Sequence, residues 1–374
     1  MILNTNDYTS KSSTTSGIQE AIDALPEAGG TIFIPSGTHM IRRSVVLRSR
    51  VTLRGEGPAT ILLSPKERRI SLTKRTIKNK THATLDNTIG LKLGDELLIG
   101  DRTQGGYHAR HGIIESIRGN VVNLDLLECD PERTYLPSNE AFATNVFPAI
   151  WLPRTHEVTI ENLTIDGRIK KHRWGPRGNF TCAGIHARTS LDVRIINVNV
   201  RNWPGDGIGV QNGSALVTGC LTENCKGPGL HPGTNISNSI WSNNISRYNT
   251  TDGFFFCLGV QQTVVEGNLF YGNTLNGMAN LTDPDRYNVL SGNICAENGM
   301  HGIEAKSAVG NTIQGNILRN NSQNEPGKFA GIYLENHRDN VVTGNTFIDD
   351  QDKPTQTQKI ISLDPSGPNI IQDF

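Results

Sequence analysis

The stretch Val264 to Lys306, VVEGNLFYGNTLNGMANLTDPDRYNVLSGNICAENGMHGIEAK, contains the same three pieces twice. VVEGN returns as VLSGN, LFYGN as ICAEN and GMANL as GIEAK. The third piece, a Gly followed by alternating inward and outward positions, recurs seven times along the chain. Its instances are GIHAR, GIGVQ, GLHPG, GFFFC, GMANL, GIEAK and GIYLE, led by Gly184, Gly207, Gly229, Gly253, Gly277, Gly302 and Gly331. The first piece, a short β-branched run closing on Asn, keeps step with it at Asn162, Asn197, Asn244, Asn268, Asn293, Asn316 and Asn345. The second closes on Asn202, Asn224, Asn249, Asn273, Asn298 and Asn321.

Three short strands in a period of about 24 residues describe one rung of a triangular coil, whose backbone edges find partners only when the next rung stacks about 4.8 Å away. Asn suits the corners because it tolerates left-handed backbone angles, and stacked Asn side chains can bond along the ladder. The expected fold is therefore all-β, a single-stranded right-handed parallel β-helix, with the seven Asn of the first piece in one column. Strand alternation sends Ile185, Ile208, Leu230, Phe254, Met278, Ile303 and Ile332 inward.

Outside the regular rungs, SGIQEAIDAL (residues 16–25) has helical apolar spacing, the kind of segment that covers the open end of a coil. One continuous domain is expected: cap and first rungs over 1–65, a small β-rich insertion over 66–147, and regular rungs with the tail over 148–374. Lys+Arg and Asp+Glu each number 36, so the balanced charge argues against a nucleic-acid partner. No apolar run is long enough for a membrane span. No basic-then-apolar leader opens the sequence, which fits a cytoplasmic protein or a secreted one whose signal has been removed. The six cysteines (Cys129, Cys182, Cys220, Cys225, Cys257, Cys295) form no metal-binding spacing and read as buried free thiols.

With AIDALPEAGGTIFIPSGTH at the front and GIxLxx and TIxGN rungs behind it, the chain resembles the pectate-lyase-like superfamily of right-handed β-helices. That resemblance implies a carbohydrate-active protein with its substrate face on the Gly-led strands. The outward columns there read His186, Gly209, His231, Phe255, Ala279, Glu304, Tyr333 and Arg188, Gln211, Gly233, Cys257, Leu281, Lys306, Glu335. The corner before each Gly adds Asp206, Asp252 and His301. Asp206 and Asp252 occupy identical slots two rungs apart, roughly 9–10 Å, near the upper end of the ~6.5–9.5 Å expected of inverting glycosidases. His231 lies on the rung between. These three are the candidate catalytic residues, with His186, Arg188, Glu304, Lys306, His301, Phe255, Trp203 and Glu335 as candidate substrate contacts.

The reading is a glycoside-cleaving enzyme of hydrolase or fructotransferase type acting on a poly- or oligosaccharide. NWPGDGI and MHGI faintly resemble polygalacturonase segments, but the paired Asp of the next rung is replaced by Pro228 and Gly229. A polysaccharide lyase or uronate epimerase is the alternative, using Arg188, His186, His231 and Lys306 on an acidic polymer. The Lys/Arg-rich loop DGRIKKHRWGPRGNFTCA after Ile165 would favour it. A non-catalytic, tailspike-like glycan binder is the third, and with it a homotrimer. No cofactor is expected. The cation with a place in the sequence is calcium, at Asp283 and Asp285 of TDPDR; YHARH offers His108 and His111 at a metal-like spacing.

Overall fold

The computed structural model describes residues 1–77, 80–102, 110–128, 134–168 and 180–372, the side chains of 110, 128 and 180 excepted. Among these residues the strands form three sheets. A ten-stranded parallel sheet holds the Gly-led strands, from Val45–Val46 through Ile185–Arg188, Ile208–Gln211 and Ile303–Lys306 to Gln358–Leu363. A 20-stranded sheet wraps the other two faces of the coil. Those faces merge into one sheet because His156–Asp166 and Leu191–Arg201 run through both. The first pairs with Val51–Gly55 at one end and Thr60–Leu63 at the other. The result is the right-handed parallel β-helix that the repeat implies.

The inward column is as expected. Ile185, Ile208, Leu230, Phe254, Met278, Ile303 and Ile332 are all fully buried in one continuous core. One outward position is displaced. Asn280 takes φ +63 and opens a bulge, so Leu281 faces Ala305 and is buried rather than lining the outer face. The helix Ile18–Asp23 covers the first rung, burying Ile18, Ala21 and Ile22. Its Gln19 acts as a side-chain stand-in for a strand, accepting from Val46 N–H and donating to Val46 C=O.

The Asn column needs correction at two members. Asn244, Asn268, Asn293, Asn316 and Asn345 form a buried ladder in which each Oδ1 after the first accepts from the N–H and Nδ2 of the Asn one rung earlier, at 2.9–3.1 Å. Asn162 and Asn197 stand one residue earlier, at φ +57 and +53, in a left-handed column that later rungs fill with Gly219, Asn243, Gly267, Gly292, Gly315 and Gly344. Asn fits both slots, since it tolerates positive φ and carries an amide for the ladder. The second corner repeats the pattern: Asn249, Asn273, Asn298 and Asn321 form the buried ladder, whereas Asn202 and Asn224 are left-handed. A third ladder, Asn288–Asn311–Asn340–Asn369, closes the remaining corner.

The segment Arg69 to Thr144 leaves the coil and builds a six-stranded antiparallel sheet with its own core around Leu85, Ile99 and Leu124. It docks on the coil through an Arg42–Asp95 ion pair at 3.1 Å and a small cluster of Leu98, Phe142, Val146 and Cys182. No described helix is long and apolar enough to cross a membrane.

Stability tests separate the two kinds of corner Asn. Asn293→Ala would strip partners from Asn268, Val265 and Asn316 and should cost about 2 kcal/mol or more, since each orphaned buried group costs ~1–3. Asn197→Gly should cost under about 0.5 kcal/mol, because Gly holds that angle without strain. Equal losses of melting temperature in the two variants would contradict the two-column assignment.

Candidate active site

Stacking fixes the address of every outward residue on the ten-stranded face. His186, Gly209 and His231 are opposite one another on successive strands, and the Leu230–Phe254 pair places Phe255 next in line. Gly209 leaves a gap in that column, and His231 turns back across it toward the corner. Its Nδ1 stands 2.5 Å from Asp206 Oδ2, with both residues buried. Asp206 lies so close against Gly227 that a Cβ there would sit 1.8 Å from Oδ1. Phe255 meets the imidazole edge-on, with ring centroids 5.3 Å apart.

The charge of His231 follows from this packing. Burial alone would drive its proton off, but the Asp206 carboxylate, helped by Cys257, holds the imidazolium and pushes the pKa up to about 10. His186, two rungs away in the same column, goes in the opposite direction. Burial, then the charges of His111 and His231, bring it down to about 3. The sequence places His186 outward, and it is, yet only 1% of it is exposed. His186 is thus a covered neutral ring beside a charged one, not an open substrate contact.

Asp252 occupies its expected slot but does a different local job. Its Oδ1 accepts from both N–H and Nδ2 of Asn276, at 3.0 Å each. Asn276 Oδ1 accepts from His301 N–H, and His301 Nδ1 accepts from Ala330 N–H. The corner before the Gly therefore carries a ladder of its own, and it orients Asp252 and His301. Because Nδ1 of His301 accepts, Nε2 bears the proton in the neutral ring. Burial lowers its pKa to about 4, with Glu304 opposing and Lys306 adding. Around it, Tyr333 stacks at 4.6 Å, Lys306 pairs with Glu304 at 2.7 Å, and the Tyr333 hydroxyl donates to Glu335 at 3.0 Å. His301, Glu304, Lys306 and Glu335 thus come together as a second cluster, three rungs from His231.

Arg188 belongs to neither group. It lines a cleft of about 440 Å³ between the coil and the inserted sheet, with Trp151, Arg154 and Asn212 from the coil and Leu127 from the insertion. Trp151 and Arg154 escape a sequence reading because their rung, IWLPRT, lacks the leading Gly. Trp203 is a correction. It takes an inward ladder slot at the second corner, is 1% exposed, and donates Nε1–H to Cys182 C=O, so it offers no face to a sugar. Of the cation candidates, His108 and the loop residues 169–179 lie outside the described residues, as does Cys129. His111 faces Glu96 at 3.3 Å. Asp285 accepts from Gly259, Val260 and Thr282 N–H groups and the Thr282 hydroxyl, and Asp283 pairs with Arg286, so the two carboxylates latch a turn. Cys182, Cys220, Cys225 and Cys295 are buried as expected, and Cys257 is half-buried on the outer face.

Comparison with known proteins agrees with this architecture. Residues 183–354 match the family described as right handed beta helix region. No curated protein matches the chain by sequence. The A-module of a mannuronan C-5 epimerase of Azotobacter vinelandii superposes with a TM-score of 0.57 at 15% identity, over 99% of this chain and 100% of that one. The ORF18 protein of Geobacillus virus E2 gives 0.63 at 15%, over 98% of this chain and 60% of that one. An exopolygalacturonase of Thermotoga maritima gives 0.52 at 12%, over 92% and 81%. At these identities the likeness is one of fold. The matched region and these neighbours share the right-handed β-helix architecture.

The three histidines set a pH signature. His231 is raised from 6.5, so its contribution to stability is full below pH 6.5 and fades as pH rises toward about 10. His186 and His301 are lowered, so theirs is full above pH 6.5 and fades as pH falls toward about 3 and 4. Melting temperature plotted against pH should therefore peak near neutrality, and His231→Gln should flatten the alkaline limb while leaving the acid limb. An unchanged alkaline slope in that variant would contradict the charged pair.

Proposed function

We propose that this β-helix is a carbohydrate-active enzyme that cleaves a glycosidic bond in a poly- or oligosaccharide lying along the ten-stranded face. The observation that carries the reading is the buried Asp206–His231 pair, set on that face two rungs from Asp252. Buried, strongly shifted titratable pairs in a groove are where acid–base chemistry concentrates. Neighbours of the same fold include proteins described as a polygalacturonase and a mannuronan epimerase, which favours a sugar polymer as substrate.

In this reading the sugar chain crosses the rungs, with its scissile bond over His231. Asp206 fixes Nδ1, so Nε2 is the nitrogen that gives a proton to the leaving oxygen. Asp252 serves as base for water. Its plane is held by Asn276. Phe255 supplies an apolar edge beside the ring, and the cluster of His301, Glu304, Lys306, Tyr333 and Glu335 is a polar landing for sugars three rungs on.

A second reading, a uronate lyase or epimerase, draws on the cleft lined by Arg154 and Arg188. Cations there would neutralise a sugar carboxylate while a base removes the neighbouring carbon-bound proton. A panel of neutral and acidic polysaccharides decides between the two when reducing ends and the ultraviolet absorbance of an unsaturated uronate are followed together. New ends without absorbance support hydrolysis, absorbance supports elimination, and binding without either leaves a non-catalytic glycan binder.

Asp206→Asn and His231→Gln should each lower turnover by at least ~10²-fold, the usual worth of a general acid–base group. Asp252→Asn should do the same with little change in melting temperature, because Asn can still accept from Asn276. Full activity in Asp252→Asn would reduce that residue to its corner ladder. Arg188→Ala should raise KM for acidic polymers more than for neutral ones if the cleft binds carboxylates.

A further inference from the structure

The proposed cleavage does not use Cys257. Yet this thiol is the one described cysteine that reaches the outer face, the others being buried. Its backbone N–H donates to Pro232 C=O at 3.2 Å, which seats it one rung below Gly233 and beside Phe255. Gly233 has no side chain to separate the thiol from His231, and the thiol is close enough to the ring to act on its proton equilibrium. His231 in turn has its Nδ1 on Asp206 at 2.5 Å. Above Gly233 lies Gln211, whose Nε2 would be 3.2 Å from a Cβ at that glycine. Its amide therefore rests in the same column as Cys257, over Gly233.

We propose that Cys257, His231 and Asp206 form a thiol–imidazole–carboxylate relay that removes acyl groups from ester-substituted sugars bound on this face. Thiols next to an imidazolium are the nucleophilic ones, and a third group that fixes the ring completes the arrangement. The balance is that of ordinary acyl transfer. The Cys257 thiolate forms a bond to the ester carbonyl carbon, the bond from that carbon to the sugar oxygen breaks, and the sugar oxygen takes the proton from His231 Nε2. Water then attacks the thioester, returns a proton to His231, and leaves as the free carboxylic acid with the thiolate restored. An amide such as that of Gln211 is suited to stabilise the oxyanion in both steps. This activity does not rest on glycosidic cleavage, and ester release is read separately from reducing ends.

The titratable group nearest the thiol is His231, with Asp206 on the ring's Nδ1, His186 two rungs further along the column and Asp252 at the corner of the thiol's own strand. The test uses the full chain. Iodoacetamide should modify Cys257, located by peptide mapping, and at least about tenfold more slowly in His231→Gln. p-Nitrophenyl acetate should give a burst of one nitrophenolate per chain and an acetyl adduct on Cys257. Both should vanish in Cys257→Ala, and an acetylated polysaccharide should release acetate. Should His231→Gln fail to fold, the wild-type burst and the acyl adduct decide. Equal alkylation rates in the wild type and a folded His231→Gln overturn the relay. Rapid alkylation without an acyl adduct overturns the acyl transfer. Reducing ends without acetate would leave the glycosidic reading standing and this one refuted.

Discussion

Everything in this molecule depends on the buried amide ladders at the corners of the coil. A β-helix turns its chain sharply three times per rung, and each turn would bury backbone N–H groups that neither sheet can satisfy. An Asn in the inward slot answers one such group, since its Oδ1 accepts the N–H of the preceding ladder residue while its Nδ2 donates to a backbone carbonyl. Asn293 does this between Asn268 and Asn316, donating also to Val265. Because the same amide bonds the rungs above and below, the ladder also fixes the rotation of each rung about the axis. Outward side chains from widely separated parts of the sequence are thereby placed in straight columns.

The candidate site uses the same device with different residues. In the corner before the Gly, the ladder slots are filled by Asp252, Asn276 and His301, so groups that could do chemistry are oriented by bonds of the structural kind. At Asp206 that ladder is interrupted by Pro228, which has no N–H to offer the carboxylate. The carboxylate finds His231 instead. A break in a structural series thus becomes a charged pair, in which the Asp206 carboxylate holds an imidazolium against burial, whereas at His186 burial wins and the ring is neutral. Opposite protonation in two neighbouring histidines is what one positive charge at this spot demands.

How much of this was legible in the sequence differs by level. The inward column was readable to the residue, because period and alternation leave little choice once the Gly spacing is seen. The Asn column slipped by one residue at Asn162 and Asn197, since the same amino acid serves two adjacent corner positions and only the backbone angle tells them apart. Leu281 was misplaced by a bulge that no alternation pattern signals. The equivalence of Asp206 and Asp252 was visible, but their different partners were not: Asn276 stands after one and Pro228 after the other. The cover over His186 and the cleft at Arg188 depend on how the 66–147 segment folds back, and nothing in the period of the rungs describes that docking. Trp203 reads as a surface aromatic for the same reason as the Asn slip: Asn202 looks like the ladder residue but takes the left-handed position, and the inward slot falls to Trp203.

The central claim is that a sugar chain lies across the rungs of the ten-stranded face with its reacting bond at His231. The most direct measurement is a crystal structure of the Asp206→Asn variant soaked with an oligosaccharide of the polymer on which the wild type acts. The expected result is sugar rings running parallel to the coil axis over Phe255 and Cys257, with a linking oxygen within hydrogen-bonding distance of His231 Nε2. Sugars seated on the 20-stranded faces, or confined to the cleft at Arg154 and Arg188 with none near His231, would contradict it.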